Sequence, residues 1–172
     1  MELISGDVSI RRFRNDDIQR IAQLANNEMI SQNLRDAFPH PYSEKDAEEF
    51  IKRCLAIEPN FAYAVCYKGE YVGNIGIMQE KDVYRKSVEI GYFIGEPYWN
   101  LGIATKAVNL ICDYTFANFD IARIHTGIFE YNKASCRVLE KSGFQKEGVF
   151  RKSVFKMGRL WDEIRYARVK EE

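Results

Sequence analysis

The chain has 172 residues, 46% of them hydrophobic and 29% charged, a composition typical of one globular domain with its own core. Lysine plus arginine and aspartate plus glutamate both number 25, so no net charge favours a nucleic acid or an anionic membrane as partner. We find no signal-peptide pattern and no run near the roughly 20 apolar residues of a membrane helix, so we expect a cytoplasmic protein. The four cysteines are scattered and form no Cys-x-x-Cys pair, so we expect neither a disulfide framework nor a metal site.

The N-terminal part predicts a strand followed by a helix. Residues 8–13 alternate apolar and polar side chains, which is typical of a strand with one buried face. Asn15 or Asp16 is then placed to cap a helix. The helix has one broad apolar face, formed by Ile18, Ile21, Ala22, Leu24 and Ala25.

A second helix and a β-hairpin are predicted next. Ser43 with Asp46 three residues later is a capping pair, and it opens a helix to about Ile57. Residues 61–67 and 71–78 are strand-like, and a short segment containing a glycine separates them. These two runs therefore predict an antiparallel hairpin.

The remaining sequence predicts a strand, then helix, strand, helix and two strands, ending near residue 169. The first strand covers residues 87–95, and its internal Gly91 could mark a bulge or a close approach by a ligand. A helix opens at Gly102, a strand covers 121–129, and Asn132 caps the next helix. The strand-helix-strand order implies a parallel pair beside the antiparallel strands.

The start of the helix at Gly102 is a candidate anion site. The first turn of a helix presents N–H groups without internal partners and the positive end of the helix dipole. Gly102 and the small Ala104 let an anion approach that backbone, and a pyrophosphate would suit it. The sequence has no phosphate-binding Gly-x-x-x-x-Gly-Lys-Ser/Thr motif and no dinucleotide-binding Gly-x-Gly-x-x-Gly motif, so other uses of such a loop are disfavoured.

Two motifs around this loop resemble those of the GNAT superfamily of N-acetyltransferases. The first joins Glu-Ile-Gly-Tyr at 89–92 to Tyr-Trp-Asn-Leu-Gly-Ile-Ala-Thr at 98–105. The second joins Asn-Lys-Ala-Ser at 132–135 to Arg-Val-Leu-Glu-Lys-Ser-Gly-Phe at 137–144. The resemblance covers nearly the whole chain and is strongest to the ribosomal-protein-alanine and similar acetyltransferases. It implies a single domain over residues 8–169.

The resemblance implies an α/β GNAT fold with a mixed, mostly antiparallel sheet of about seven strands and about four flanking helices. A central pair of parallel strands would splay apart, and the cosubstrate acetyl-CoA would lie in the gap. Main-chain groups of one strand would bind pantetheine, amides of the next loop would bind the pyrophosphate, and two side chains would face the cofactor from the other side. These residues are Tyr92, Phe93 and Ile94 for the pantetheine, Asn100, Leu101, Gly102, Ile103, Ala104 and Thr105 for the pyrophosphate, and Asn132 and Ser135 opposite them.

Two positions depart from the general pattern of the family. Trp99 stands where most members have Gln or Arg, although tryptophan is familiar there in the ribosomal-protein subgroup. Leu139 stands where many members carry a tyrosine that protonates the departing thiolate. That role would then pass to Ser135, whose hydroxyl can donate to the sulfur.

An amine attacks a thioester only as the free base, so the enzyme needs a proton acceptor near the acceptor amine. Glu89 is the candidate, acting directly or through a water, and the competing interpretation is a paired carboxylate without a chemical role. Glu130 is a second candidate, and a main-chain amide near Phe93 would polarise the thioester carbonyl. Several aromatic side chains and a Pro-His-Pro loop could line the acceptor pocket: Phe38, Tyr42, Tyr84, Trp161 and residues 39–41.

The sequence therefore predicts an enzyme that moves the acetyl group of acetyl-CoA to a primary amine by direct attack in a ternary complex. The acceptor, a protein N-terminus or a small molecule, stays open because the fold and the cofactor loops do not select it. An acetyl-CoA sensor with weak or no turnover is the alternative. A nucleotide-binding or nucleic-acid-binding domain is a third class, and a monomer or a homodimer is expected.

Overall fold

The computed structural model describes residues 2–56 and 61–171. These residues form eight strands: β1 (Glu2–Ser5), β2 (Val8–Arg11), β3 (Ala62–Tyr67), β4 (Glu70–Gln79), β5 (Ser87–Ile94), β6 (Arg123–Phe129), β7 (Gln145–Lys156) and β8 (Arg159–Val169). They also form five α-helices: α1 (Ile18–Ala25), α2 (Glu28–Ser31), α3 (Glu44–Ala56), α4 (Ile103–Asn118) and α5 (Lys133–Lys141). The strands make one sheet in the order β1-β2-β3-β4-β5-β6-β8-β7.

Helices cover the two faces of the sheet, with a separate apolar cluster under each group. On one face, α4 and α5 pack on the inner strands through residues such as Val108 and Leu139. On the other face, α1 and α3 pack through residues such as Ile21 and Ile51, and Phe93 of β5 belongs to this second cluster. Because side chains alternate along a strand, consecutive residues of β5 and β6 serve opposite faces.

The predicted fold class is confirmed, since the sheet is mixed, mostly antiparallel and contains one parallel pair, β5 with β6. The strand beyond the predicted seven is β1, which pairs antiparallel with β2. Its four residues form a short edge strand, and their alternation is too brief to stand out in the sequence. The short helix α2, capped by Asn27, was also not predicted.

Several local predictions are confirmed. The Ser43 hydroxyl accepts from the Asp46 N–H at 3.3 Å, while the Asp46 carboxylate accepts from the Ser43 N–H at 2.8 Å, so the pair caps α3. The predicted end of this helix at Ile57 lies outside the described residues. Strands β3 and β4 pair as the predicted hairpin, and Gly143 closes α5 with a φ of +79°.

One local prediction is wrong, and one of the two interpretations of Gly91 is excluded. The N-terminal helix is capped by neither Asn15 nor Asp16; instead the Asp17 carboxylate accepts from the Arg14 N–H at 2.8 Å and forms a buried ion pair with Arg11. Gly91 marks no bulge, because β4 and β5 pair in an unbroken register in which Gly91 lies opposite Gly76. A side chain at Gly91 would meet nothing within 4 Å, so open space lies above this residue.

The parallel pair separates early, and this is the feature that creates the site. Strands β5 and β6 are in register at only three positions, which pair Ser87 with Arg123, Val88 with Ile124 and Glu89 with His125. Beyond Glu89 the two strands diverge, while β5 continues to pair with β4 and β6 with β8. A gap therefore opens in the middle of the sheet, as the sequence predicted.

No helix in the part of the chain that the structure describes is long and apolar enough to cross a membrane. Within the same residues, no group of three or more His, Cys, Asp or Glu side chains is arranged to hold a metal ion.

Candidate active site

The loop between β5 and α4 presents main-chain amides at one end of the gap. Asn100 and Gly102 both have a positive φ, 63° and 73°, so the chain turns sharply just before α4 begins. The first helical bond runs from the Lys106 N–H to the Gly102 carbonyl, which leaves the preceding amides of the first turn without an internal partner. A side chain at Gly102 would meet nothing within 4 Å. The geometry fits a pyrophosphate at this helix start.

The other residues predicted for the pyrophosphate lie in the same turn. Asn100 and Leu101 are exposed, Ala104 and Thr105 are half-buried, and Ile103 is buried in the core below α4. Ile103 therefore anchors the helix with its side chain and offers only its amide to a ligand.

Trp99, the first departure from the family pattern, fastens this loop to the sheet. Its indole N–H donates to the Ile94 carbonyl at the end of β5, with 2.7 Å between the two heavy atoms. The side chain thus fixes the loop relative to the strand that borders the gap. Sequence reasoning noticed Trp99 only as an exception and missed this role.

The hydrogen-bonding phase of β5 shows which main-chain groups face the gap. The Glu80 N–H donates to the Ser87 carbonyl, and the Gly95 N–H donates to the Val72 carbonyl. The main-chain groups of odd-numbered residues of β5 therefore bond to β4. The Ala122 N–H donates to the Lys86 carbonyl, so the main-chain groups of even-numbered residues face β6. Main-chain groups of Tyr92 and Ile94 therefore face the gap, whereas those of Phe93 face β4.

This phase corrects the role predicted for Phe93. A Cβ atom built on Gly73 of β4 would lie 2.2 Å from the Phe93 carbonyl oxygen, which is consistent with that oxygen pointing at β4. The Phe93 amide therefore cannot polarise a thioester in the gap. Its side chain lies on the opposite face from α4 and α5, in edge contact with Phe38 at 5.8 Å between ring centroids.

Asn132 and Ser135 lie together at the start of α5, on the other side of the gap. The Asn132 side chain accepts from the Ser135 N–H at 3.2 Å, so it caps the helix as predicted. The Ser135 hydroxyl lies 2.7 Å from the phenol oxygen of Tyr92. This contact joins β5 to α5 across the gap, and burial raises the pKa of Tyr92, so the phenol keeps its proton at neutral pH. The Tyr92 side chain was missed as a functional group.

Leu139 is fully buried in the core below α5 and carries no ionisable group. Ser135 and Tyr92 are the two side chains with a hydroxyl that meet across the gap on this face, and each can donate a hydrogen bond.

Glu89 lies where the gap begins, with its side chain on the face opposite α4 and α5. Its neighbours Val88 and Ile90 belong to the cluster under α4, so the alternation of β5 directs Glu89 to the other face. One carboxylate oxygen accepts from Arg35 at 2.6 Å, and the Glu89 side chain is 20% exposed while that of Arg35 is 71% exposed. Glu89 is therefore a partly exposed carboxylate paired with an exposed cation.

The segment between α2 and α3 lies over this face and connects three strands of the sheet. Arg35 binds Glu89 on β5, Asp36 accepts from Lys156 on β7 at 2.7 Å, and the Gln32 carbonyl accepts from Tyr131, which follows β6. Below the segment lies a cavity of about 240 Å³, lined by Arg35, Asp36, Phe129, Ser153, Val154, Phe155 and Lys156. This cavity adjoins Glu89 through Arg35 and is large enough for a small acceptor group.

The aromatic residues predicted for the acceptor pocket have different positions. Phe38 lies in the overlying segment, and Trp161 of β8 contacts Tyr131 at 4.7 Å between ring centroids. Tyr42 is buried in the core next to Phe38, where burial raises its pKa to about 12. Tyr84 is exposed in the connection between β4 and β5. Phe38 and Trp161 thus remain candidates for the pocket wall.

Glu130 has a structural role. Its carboxylate accepts from the main-chain N–H of Asp162 at 2.9 Å, and its own N–H donates to the Asp162 carbonyl at 3.0 Å. The side chain therefore ties the end of β6 to β8. We retain Glu89 as the proposed base and assign Glu130 to that connection.

His125 sits beside Glu89 at the point where the strands diverge. Its Nδ1 atom lies 3.1 Å from a nitrogen of Arg165, and its Nε2 atom lies 3.5 Å from Glu80. Burial, together with the nearby charges of Arg165 and Arg123, lowers the pKa of His125 below its ordinary value of 6.5. The imidazole is thus neutral at pH 7, and Nδ1 accepts from Arg165.

Comparison with known proteins identifies the family. Residues 7–145 match the model of the GNAT acetyltransferase domain. Probable N-acetyltransferase YjcK of Bacillus subtilis is 35% identical over 62% of this chain, a match that spans 58% of YjcK. Uncharacterized N-acetyltransferase YoaA of the same organism is 32% identical over 92% of this chain and 84% of YoaA.

A similar fold occurs among solved structures. The ribosomal L7/L12 alpha-N-protein acetyltransferase RimL, in complex with coenzyme A, superimposes with a TM-score of 0.86 at 20% identity, covering 98% of both chains. At this identity the likeness establishes the fold. Taken with the matched domain, the chain belongs to the GNAT family of acetyl-CoA-dependent N-acetyltransferases.

Proposed function

We propose that this enzyme transfers the acetyl group of acetyl-CoA directly to a primary amine while both substrates are bound. The observation that carries the proposal is the gap between β5 and β6, which has Ser135 on one face of the sheet and Glu89 on the other. Acetyl-CoA can enter such a gap from one face of the sheet, and the acceptor can reach its thioester from the other face. Holding the two in line can itself supply a large part of the rate enhancement.

On the cofactor side, amides from Asn100 to Thr105 hold the pyrophosphate, and gap-facing main-chain groups of Tyr92 and Ile94 hold the pantetheine arm. Asn132 fixes the start of α5, so that the Ser135 hydroxyl points along the gap. An N–H group of β5 that faces the gap is placed to polarise the thioester carbonyl, and such contacts contribute about 3 kcal/mol to the barrier in other acyl transfers.

On the acceptor side, Glu89 accepts the proton that the amine loses, directly or through one water. The nitrogen lone pair forms the new bond to the carbonyl carbon, and the carbon–sulfur bond breaks as the amide forms. Ser135 donates a hydrogen bond to the departing sulfur, which is released as the thiol of coenzyme A. Atoms and charges balance for the free amine, because the proton that the nitrogen loses passes through Glu89 to solvent and the departing thiolate takes one proton from solvent.

The acceptor is a primary amine at a protein N-terminus or on a small molecule. RimL shares this fold, and its name describes an alpha-N-protein acetyltransferase of ribosomal L7/L12, which supports a protein N-terminus as one candidate. The cavity of about 240 Å³ beneath the 32–38 segment equally suits a small amine. A cytoplasmic location and a monomeric or homodimeric state stay predictions from the sequence.

The ion pair between Arg35 and Glu89 is the observation that favours the alternative function, an acetyl-CoA sensor with little turnover. The test measures thiol release from acetyl-CoA in the presence of a panel of amines, with product masses recorded. The panel contains peptides with free N-termini, polyamines, amino sugars and amino acids. We expect thiol release that depends on one class of primary amine, with a product heavier by one acetyl group. Tight acetyl-CoA binding without any amine-dependent release would establish the sensor instead.

A further inference from the structure

A second carboxylate, Glu163 of β8, lies in the acceptor half of the gap. The register pairs Glu163 with Phe129 at the end of β6, but its side chain does not stay above its own strand. A Cβ atom built on Gly127 of β6 would lie 2.3 Å from the Glu163 carboxyl carbon and 2.5 and 2.6 Å from its two oxygens. The carboxylate therefore lies directly over Gly127, in the space that any other residue there would fill.

This position places Glu163 on the same face of the sheet as Glu89. Glu89 pairs with His125, and Gly127 follows two residues later on the diverging arm of β6, about 7 Å along the strand. His125 and Gly127 share the face to which Glu89 points, since Ile124 and Ile128 belong to the cluster on the opposite face. The two carboxylates thus lie on one face, Glu89 where the strands diverge and Glu163 on the β6 side of the gap.

Glu163 is held in place through one oxygen of its carboxylate. One of its oxygens accepts from Arg165 at 2.8 Å, and Arg165 is fixed in turn by the neutral His125 at 3.1 Å. The second oxygen of Glu163 accepts no hydrogen bond from the residues that the structure describes. The side chain is 19% exposed, nearly the same as Glu89 at 20%. No buried side-chain oxygen or nitrogen among the described residues lacks a partner, so this oxygen is open to solvent and can accept a hydrogen bond from a ligand in place of water.

We propose that Glu163 binds the acceptor as an ammonium ion and so selects alkyl primary amines, which are protonated at neutral pH, over neutral nucleophiles. An ammonium has three N–H donors and no acceptor, which matches the free oxygens of Glu163 and Glu89. Glu163 positions the nitrogen, and Glu89 accepts the proton that converts the ammonium to the free amine. The second nitrogen proton passes to water as the amide forms. This inference rests on the proposed amine transfer and adds the charge state in which the acceptor binds.

Gly127 provides a specific test. Its φ is not in the left-handed region, so Gly127→Ala suits the backbone, and the three atoms nearest to the new Cβ all belong to the flexible end of Glu163. This substitution therefore displaces the carboxylate without removing it. Gly148→Ala in β7 is the matched control, because a Cβ atom there would meet nothing within 4 Å.

The experiment measures binding and turnover in wild type, Glu163→Gln, Gly127→Ala, the double variant and Gly148→Ala. Binding of n-butylamine and of its neutral counterpart n-butanol to the protein saturated with coenzyme A is followed by ligand-observed NMR. We expect both single variants to weaken n-butylamine binding about tenfold while n-butanol and acetyl-CoA binding stay unchanged. The double variant should be no weaker than either single variant, because both remove the same contact, and Gly148→Ala should match wild type.

Equal n-butylamine affinity in wild type and Glu163→Gln, or no n-butylamine binding to wild type, would overturn the inference. An equal loss for amine and alcohol would also overturn it, because such a loss reports a change of shape and not of charge. A wild type that binds n-butylamine through Glu163 but acetylates no amine in the panel would support the inference and refute the proposed transfer. The two failures are thus separable.

Discussion

The cofactor half of the gap consists mainly of main-chain groups, whereas the acceptor half consists of side chains. On the cofactor side, the turn at Gly102 and the gap-facing groups of Tyr92 and Ile94 present N–H and carbonyl groups that every sequence possesses. On the acceptor side, Glu89 is held by Arg35 from the segment between α2 and α3, and Glu163 is held by Arg165 of its own strand. A backbone site tolerates sequence change and keeps its ligand, whereas a side-chain site can be redirected to a new acceptor by a few substitutions.

The largest expected effect comes from the acceptor half. Glu89→Gln keeps the shape of the side chain but removes the proton acceptor, so kcat/KM for the amine should fall about 100-fold or more, while KM for acetyl-CoA stays the same. Steady-state kinetics with the best amine of the panel measures this. Glu147→Gln is the control, because Glu147 pairs with Arg123 at the sheet surface away from the gap. A Glu89→Gln enzyme with wild-type kcat/KM would remove Glu89 from the chemistry.

This contrast explains what the sequence could predict. The phosphate loop, the cap at Asn132 and the parallel pair depend on glycines, caps and strand order, which short stretches of sequence show. The divergence of the parallel pair is implied only by the resemblance to the GNAT superfamily. The Tyr92–Ser135 contact and the ion pair of Arg35 with Glu89 join residues 43 and 54 positions apart. Such pairs form only when the whole sheet is assembled, so no local pattern indicates them.

Some missed features did leave a signal. Gly127 interrupts an otherwise bulky strand, and a glycine there can indicate a close approach by another group. That group is the Glu163 carboxylate, although nothing in the sequence indicates which residue it is. The main-chain direction of Phe93 depends on the pairing phase of β4 with β5. A shift of one residue would exchange the roles of Phe93 and Tyr92, and the sequence alone does not fix that phase.

The next effect tests the contact between Tyr92 and Ser135, which joins β5 to α5 across the gap. Ser135→Ala removes the hydroxyl that donates to the departing sulfur, and kcat should fall about tenfold to 100-fold when chemistry limits the rate. Tyr92→Phe should lower kcat less, because it leaves the Ser135 hydroxyl in place and removes only the phenol that orients it. Single-turnover kinetics measures both. Ser142→Ala in the same helix is the control, since its hydroxyl bonds only to the Val138 carbonyl. An unchanged single-turnover rate for Ser135→Ala would rule out its proposed role.

A smaller effect is expected from the backbone site. Gly102→Val puts a branched side chain at a φ of 73° and crowds the amides, so acetyl-CoA affinity should fall about tenfold and stability by about 1 kcal/mol or more. Gly158→Val is a matched control, because Gly158 has the same φ of 73° and open surroundings in the β7–β8 turn. It should lose stability but keep its acetyl-CoA affinity. Calorimetric titration measures the acetyl-CoA affinity, and thermal unfolding measures the stability. An equal loss of acetyl-CoA affinity in both variants would show that the loop at Gly102 does not bind the cofactor.

The smallest effect concerns pH. Because the pKa of His125 is lowered from 6.5 in the folded protein, the unfolded chain binds more protons just below that pH. The contribution of His125 to stability is thus complete above about pH 6.5 and is lost as the pH falls below it. Protonation would place a third cation beside Arg165 and Arg123, facing Glu80 and Glu89, and should raise KM for the amine.

The check for this pH effect compares urea midpoints at pH 7 and pH 5.5. His125→Asn should lose less stability between the two values than wild type does, and His40→Asn, at an exposed position, should behave as wild type. An identical pH dependence in wild type and His125→Asn would show that His125 does not titrate in this range.

The most direct test of the division between the two halves is one calorimetric titration of acetyl-CoA into the Glu89→Gln/Glu163→Gln double variant. If the cofactor is held by the main chain on one face and the acceptor by carboxylates on the other, the dissociation constant for acetyl-CoA should match that of wild type within about twofold, although the variant transfers no acetyl group. An acetyl-CoA affinity weakened about tenfold (about 1.4 kcal/mol) would contradict that division, because it would place the two carboxylates in the cofactor site.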